Sequence, residues 1–133
     1  MSMHLCPILI VEDVERPAAY YERFFGFERC FDGPMYKGVK HLESGLEFGF
    51  MTPGEGDCMP ATDGKGLMFG FLVEDVDAEH KRLTEAGAEP REEPSDKPWG
   101  DRSFTLVDPC GVTLYVYQEG VPAPEFAQYV VKK

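Results

Sequence analysis

Val11-Glu12-Asp13-Val14 and Val73-Glu74-Asp75-Val76 are the same tetrapeptide met twice, each time behind an apolar run and ahead of a helix-like segment. Recurrence of this kind marks an internal repeat and takes precedence over any single motif. Working outward from the first copy, Cys6-Pro7-Ile8-Leu9-Ile10-Val11 reads as a strand, and Val14, Ala18, Tyr21 and Phe25 form the apolar stripe of a helix that Gly26 ends. Pro17 falls in the first turn of that helix, where its missing N–H has no partner to lose. The second copy runs Met68-Phe69-Gly70-Phe71-Leu72-Val73, then a helix through Leu83 and Ala86 to Gly87. Asp13 and Asp75 are the expected helix N-caps.

Three strand candidates follow each helix, near 27–32, 36–42 and 45–52 in the first half and near 89–93, 102–107 and 111–118 in the second. Gly33-Pro34, Ser44-Gly45 and Asp108-Pro109-Cys110-Gly111 supply the turns. The pattern predicts an α+β chain of two β-α-β-β-β modules, about 4–52 and 67–118, joined by a Gly- and Pro-rich linker at 53–66 and followed by a tail at 119–133. In that tail Phe126, Tyr129 and Val130 are placed to dock a last turn. Units this short bury too little surface to be stable alone, so the two are expected to form a single domain.

With 13 basic against 24 acidic residues, the net charge of -11 repels nucleic acid and anionic lipid surfaces. No apolar run approaches the length of a membrane span, and the start of the chain lacks the regions of a secretory signal, so a soluble cytoplasmic protein is expected. Cys6, Cys30, Cys58 and Cys110 are widely spaced, as free thiols are. No P-loop, G-x-G-x-x-G or Gly-x-Ser-x-Gly element is present, and no base stands beside a cysteine in sequence.

The doubled module, with helices closing on Phe-Gly-Phe and Ala-Gly-Ala and a final Asp108-Pro109-Cys110-Gly111 turn, resembles the vicinal oxygen chelate superfamily over residues 4 to 118. That family includes glyoxalase I, ring-cleaving dioxygenases, fosfomycin-modifying enzymes and bleomycin resistance proteins. Pro98-Trp99-Gly100-Asp101-Arg102 followed by Phe104 is most similar to the metal-free, antibiotic-binding branch. The resemblance implies curled half-barrel sheets with helices outside and a cavity closed by two modules, within one chain or across a dimer.

It also implies four metal-ligand positions, His or Glu in the enzymes. Counted from the acidic pairs and from Gly45 and Gly111, these positions hold Cys6, Gly49, Met68 and Tyr115 here. Thiol, glycine, thioether and phenol do not make the oxygen-and-imidazole shell a divalent ion needs, so no cofactor is expected. A register slip would bring in His4 and Glu47, a fallback pair that underlies the alternative of a divalent-metal lyase, dioxygenase or thiol transferase. His41 and His80 read as surface residues.

Alternation sets Cys6, Ile8 and Ile10, Gly49 and Met51, Met68 and Leu72, and Thr113, Tyr115 and Tyr117 on inward faces. Gly49 and Gly70 leave room there, Trp99 is placed to stack on a ligand, and Arg102 and Asp101 stand ready to add charge. The expected function is sequestration of a hydrophobic or aromatic, and potentially cationic, small molecule by a homodimer without catalysis. The expected ligand-binding set is Cys6, Ile8, Gly49, Met51, Met68, Gly70, Trp99, Arg102, Tyr115 and Tyr117.

Overall fold

The computed structural model describes residues 2–54 and 60–131; Cys58 lies outside them. The elements are β1 (Ile8–Ile10), α1 (Glu15–Phe25), β2 (Glu28–Asp32), β3 (Tyr36–Lys40), β4 (Glu47–Met51), β5 (Met68–Leu72), α2 (Val76–Ala86), β6 (Ser95–Asp96), β7 (Asp101–Val107), β8 (Thr113–Glu119) and α3 (Pro124–Ala127). They form two four-stranded mixed sheets, ordered β1-β4-β3-β2 and β5-β8-β7-β6, in an α+β fold. In each sheet the first strand of the module runs parallel to the last, and the other pairings are antiparallel.

The chain divides into two compact units, residues 1–65 with 108–112, and residues 66–107 with 113–133. The turn between β7 and β8 therefore belongs to the first unit, although the sequence repeat assigns it to the second module. Within the first unit, β1, β3 and β4 send Leu9, Val39, Phe48 and Phe50 to one sheet face, where they bury against Ala18, Tyr21 and Phe24 of α1. Phe24 is buried and Phe25 only half-buried, so the helix stripe closes on a residue the spacing passed over. Within the second unit, Phe104, Leu106, Leu114 and Val116 are packed with Val76 and Leu83 of α2 in the same way.

Both helices stop at a glycine in the left-handed region, Gly26 at φ 70° and Gly87 at φ 101°, a conformation that costs a residue with a Cβ. Asp75 caps α2 by accepting from the Ala78 N–H at 3.1 Å. Asp13 lies two residues ahead of Glu15, the first residue of α1, yet accepts from the N–H groups of Glu15 and Arg16, so it does the same work.

Two expected elements differ. Residues 89–93 do not form a strand; the short β6 at Ser95–Asp96 takes that edge. Pro90 and Pro94 lack the N–H a ladder needs, and the Glu92 carboxylate, rather than a backbone carbonyl, accepts from the Thr105 N–H at 2.7 Å. In the tail, Phe126 reaches the Trp99 ring edge-on at 6.3 Å, but Tyr129 and Val130 stay 73% and 59% exposed, so the last turn docks through Phe126 alone among these three.

Candidate functional site

Each sheet has one face covered by its helix and one face open, and the candidate residues distribute between them. On the open face of the first sheet, Ile8 is paired with Gly49 and Ile10 with Met51, while Gly38 and Tyr36 stand opposite Gly49 and Met51 on the next strand. Ile8 is 52% exposed. Cys6 lies just before β1, half-buried, and its thiol meets the Tyr36 hydroxyl. Burial, then the nearby Glu47 carboxylate and Cys30, hold that thiol above its ordinary range, which leaves it a poor nucleophile.

Tyr36, which the sequence reading passed over, occupies the space that Gly49 leaves. A Cβ at position 49 would lie 2.7 Å from the Tyr36 Cζ. The glycine thus seats an aromatic ring instead of opening a void, a recurrent way of covering a strand glycine with a diagonal neighbour. Gly70 behaves similarly but less tightly, since a Cβ there would meet Tyr117 at 3.3 Å.

On the open face of the second sheet, Met68 is paired with Thr113, Gly70 with Tyr115 and Leu72 with Tyr117. Met68 and Leu72 are 60% and 56% exposed, and Tyr115 and Tyr117 lie with ring centroids 5.7 Å apart. The Tyr115 hydroxyl donates to Asp101 at 2.8 Å and accepts from Ser103 Oγ and the Trp99 indole N–H, both at 3.0 Å. The indole N–H also reaches Asp101 Oδ2 at 2.9 Å. Trp99 is held by its polar edge while about half of its surface, 49%, stays open. Burial raises the Tyr115 hydroxyl above the ordinary phenol range, with the Asp101 hydrogen bond adding to it against the donors Ser103 and Trp99. It is a neutral hydrogen-bonding group there.

Arg102 does not join this set. Odd-numbered β7 residues share the Tyr115 face, whereas Arg102 alternates with Phe104 and Leu106 onto the helix side. There it makes a two-pronged pair with Asp77 of α2, both bonds 2.9 Å, and a longer contact with Asp96. Arg102 therefore ties α2 to its sheet.

The fallback metal pair gains no third partner: among the described residues no group of three His, Cys, Asp or Glu side chains is placed to hold an ion. Glu47 is half-buried at the first sheet's open face, and His4 is exposed. At the four positions the family resemblance singled out, Gly49 is covered by Tyr36 and the Tyr115 hydroxyl is committed to Asp101, so the residues present do not fit a divalent ion. His80 is less exposed than expected: its ring stands edge-on to Phe104 at 4.9 Å and its Nδ1 lies 3.7 Å from Glu93. His41 hydrogen-bonds Ser44 at 2.7 Å within the β3–β4 turn and is half-buried.

A separate cavity of about 410 Å³ opens in the first unit where β1 meets α1, lined by Glu12, Asp13, Arg16 and Asp63 over Val11 and Cys110. Burial pushes the Cys110 thiol up to about 12, so it is inert. Among the described residues no helix is long and apolar enough to cross a membrane.

A family model described as the Glyoxalase/Bleomycin resistance protein/Dioxygenase superfamily matches residues 3–116. No curated protein sequence matches the chain. Among solved structures, a glyoxalase/bleomycin resistance protein/dioxygenase from Nocardioides is 20% identical over 92% of this chain and 90% of its own, with a TM-score of 0.76. A superfamily member from Sphaerobacter thermophilus is 24% identical over 90% of this chain and 98% of its own, TM-score 0.70. A bleomycin-binding protein in complex with bleomycin is 23% identical over 89% of this chain and 99% of its own, TM-score 0.68. At these identities the similarity to each is one of fold. The match to the family model spans most of the chain, and the protein belongs to the glyoxalase/bleomycin resistance protein/dioxygenase superfamily.

Proposed function

We propose that this chain binds and sequesters a hydrophobic or aromatic small molecule without a divalent metal ion and without chemical conversion. The observation that carries the reading is the open face of the second sheet. Met68 and Leu72 are more than half exposed there, beside Tyr115, Tyr117 and an indole fixed by its N–H. Exposed apolar side chains next to a few oriented polar groups are the usual composition of a small-molecule site. The fold similarity to a bleomycin-binding protein agrees with this reading. The sequestering species in this reading is a homodimer, one of the two pairings that the family resemblance implies, and solution mass tests it.

Native mass spectrometry of the protein incubated with a panel of flat aromatic compounds tests the reading. The expected result is a non-covalent complex of unchanged ligand mass, lost in the Trp99→Ala, Met68→Ala double variant. Stoichiometric metal by elemental analysis, or a metal-stimulated turnover abolished by His4→Ala or Glu47→Ala, would replace it with the enzymatic alternative.

A further inference from the structure

The corner of the second sheet around Asp101 carries negative charge that its neighbours leave uncompensated. Asp101 stands directly opposite Glu119 in the β7–β8 register. Like charges facing each other across an antiparallel pair destabilise the sheet. The Asp101 carboxylate accepts from neutral groups, the Tyr115 hydroxyl and the Trp99 indole N–H. Among the described residues, no Lys, Arg or His forms an ion pair with Asp101 or Glu119.

The two cations closest to Asp101 in sequence are engaged elsewhere. Lys97 sits on the strand side next to Asp101, its N–H bonded to the Asp101 carbonyl, but its ammonium goes to Ser95 Oγ at 2.7 Å and to the carbonyls of Ser95 and Ser103 at 3.2 Å. Arg102 is on the opposite face with Asp77 and Asp96. Counting Lys97, the corner still holds one excess negative charge beside a half-exposed indole and a pair of tyrosine rings. Aromatic faces and carboxylates attract the same partner, a cation.

We infer that the Asp101–Glu119 corner selects a planar ligand bearing a permanent positive charge over a neutral ring of the same shape. The inference rests on the binding role proposed for this face and narrows its ligand class. The ring lies against Trp99 and Tyr117, the charge points to Asp101 and Glu119, and the repulsion between those two carboxylates is relieved on binding. The chain's net charge of -11 steers such a ligand toward the protein.

Isothermal titration calorimetry with quinoline and N-methylquinolinium separates shape from charge. Wild type is expected to bind both, the cation roughly tenfold more tightly, and added salt should weaken only the cation. Asp101→Asn keeps an acceptor for Trp99 and is expected to lose most of the preference, read as the ratio of the two affinities within that variant. Glu119→Gln, at an exposed strand end, should lower the preference without touching the Trp99 contacts. Equal wild-type affinities, or a preference that survives both substitutions, would overturn the inference while leaving the binding role intact. Failure of both probes to bind would overturn the binding role and the inference together.

Discussion

Tyr21 on α1 donates a 2.6 Å hydrogen bond to Asp108 Oδ2, a partner 87 residues along the chain. Both side chains are buried, and Asp108 Oδ1 accepts in addition from the N–H groups of Cys110 and Val112 at 2.8 and 2.9 Å. One carboxylate thus satisfies three donors and fastens the Asp108–Val112 turn to the first helix. Tyr21→Phe leaves a buried oxygen without its donor and is expected to cost roughly 1.5–3 kcal/mol. Asp108→Ala strands all three donors and should cost more. Urea denaturation midpoints measure both, and a Tyr21→Phe variant as stable as wild type would refute the account.

The same carboxylate makes a prediction about pH. Burial raises Asp108 above its ordinary value of 3.8, and its hydrogen bonds only partly oppose that. A group whose folded pKa is raised holds extra protons in the folded state, so its contribution to stability is full below 3.8 and is lost as the pH rises through the folded value. Asp108→Asn removes this dependence. Wild-type stability minus that of Asp108→Asn should therefore be larger at about pH 4 than at about pH 7, measured by denaturant titration at each pH. A difference that grows with pH would show the carboxylate to be stabilised in its charged form.

Gly49 and Gly70 should differ in tolerance. Gly49→Ala drives a methyl into the Tyr36 ring and is expected to destabilise by about 1–3 kcal/mol, with thermal denaturation as the measure. Gly70→Ala needs only a slight shift of Tyr117 and should cost less. Adding Tyr36→Ala to Gly49→Ala should recover part of the loss, because the collision is then gone.

Arg102 and Tyr115 stand on paired strands but on opposite faces of the second sheet, and their roles differ accordingly. Arg102→Met breaks an exposed pair between β7 and α2, so it should lower stability only slightly and leave ligand binding unchanged. Tyr115→Phe removes the oxygen that Trp99, Ser103 and Asp101 share. It should loosen the indole, shift the fluorescence of the sole tryptophan to the red and weaken binding several-fold. Unequal effects in the reverse order would place the site on the helix side of the sheet.

Much of this fold is written in Val11-Glu12-Asp13-Val14 and its second copy, because a strand, a cap and an amphipathic helix each leave a local signature. What was not legible depends on partners distant in sequence. Nothing near Gly49 announces that Tyr36 will lie over it, so a missing side chain read as empty space. Residues 89–93 hold the place where the repeat sets a strand, but the competition between Glu92 and the backbone for the Thr105 N–H is visible only once β7 is in place. Arg102 is a different case: Phe104 shares its face by simple alternation, and placing Phe104 in the core would have sent Arg102 to the helix side. Trp99 and Tyr115 were both singled out from sequence, but their common attachment to Asp101 was not.

The first unit contains residues 108–112 as well as 1–65, and this has a consequence for synthesis. As the chain leaves the ribosome, the N-terminal unit lacks the Asp108 carboxylate that Tyr21 is built to reach, and it must wait while most of the second unit is translated. Completion in order from N- to C-terminus, the usual course for tandem units, is closed to this one. Its halves mature together, and a nascent chain released before Val112 should present an unfinished core to chaperones and proteases.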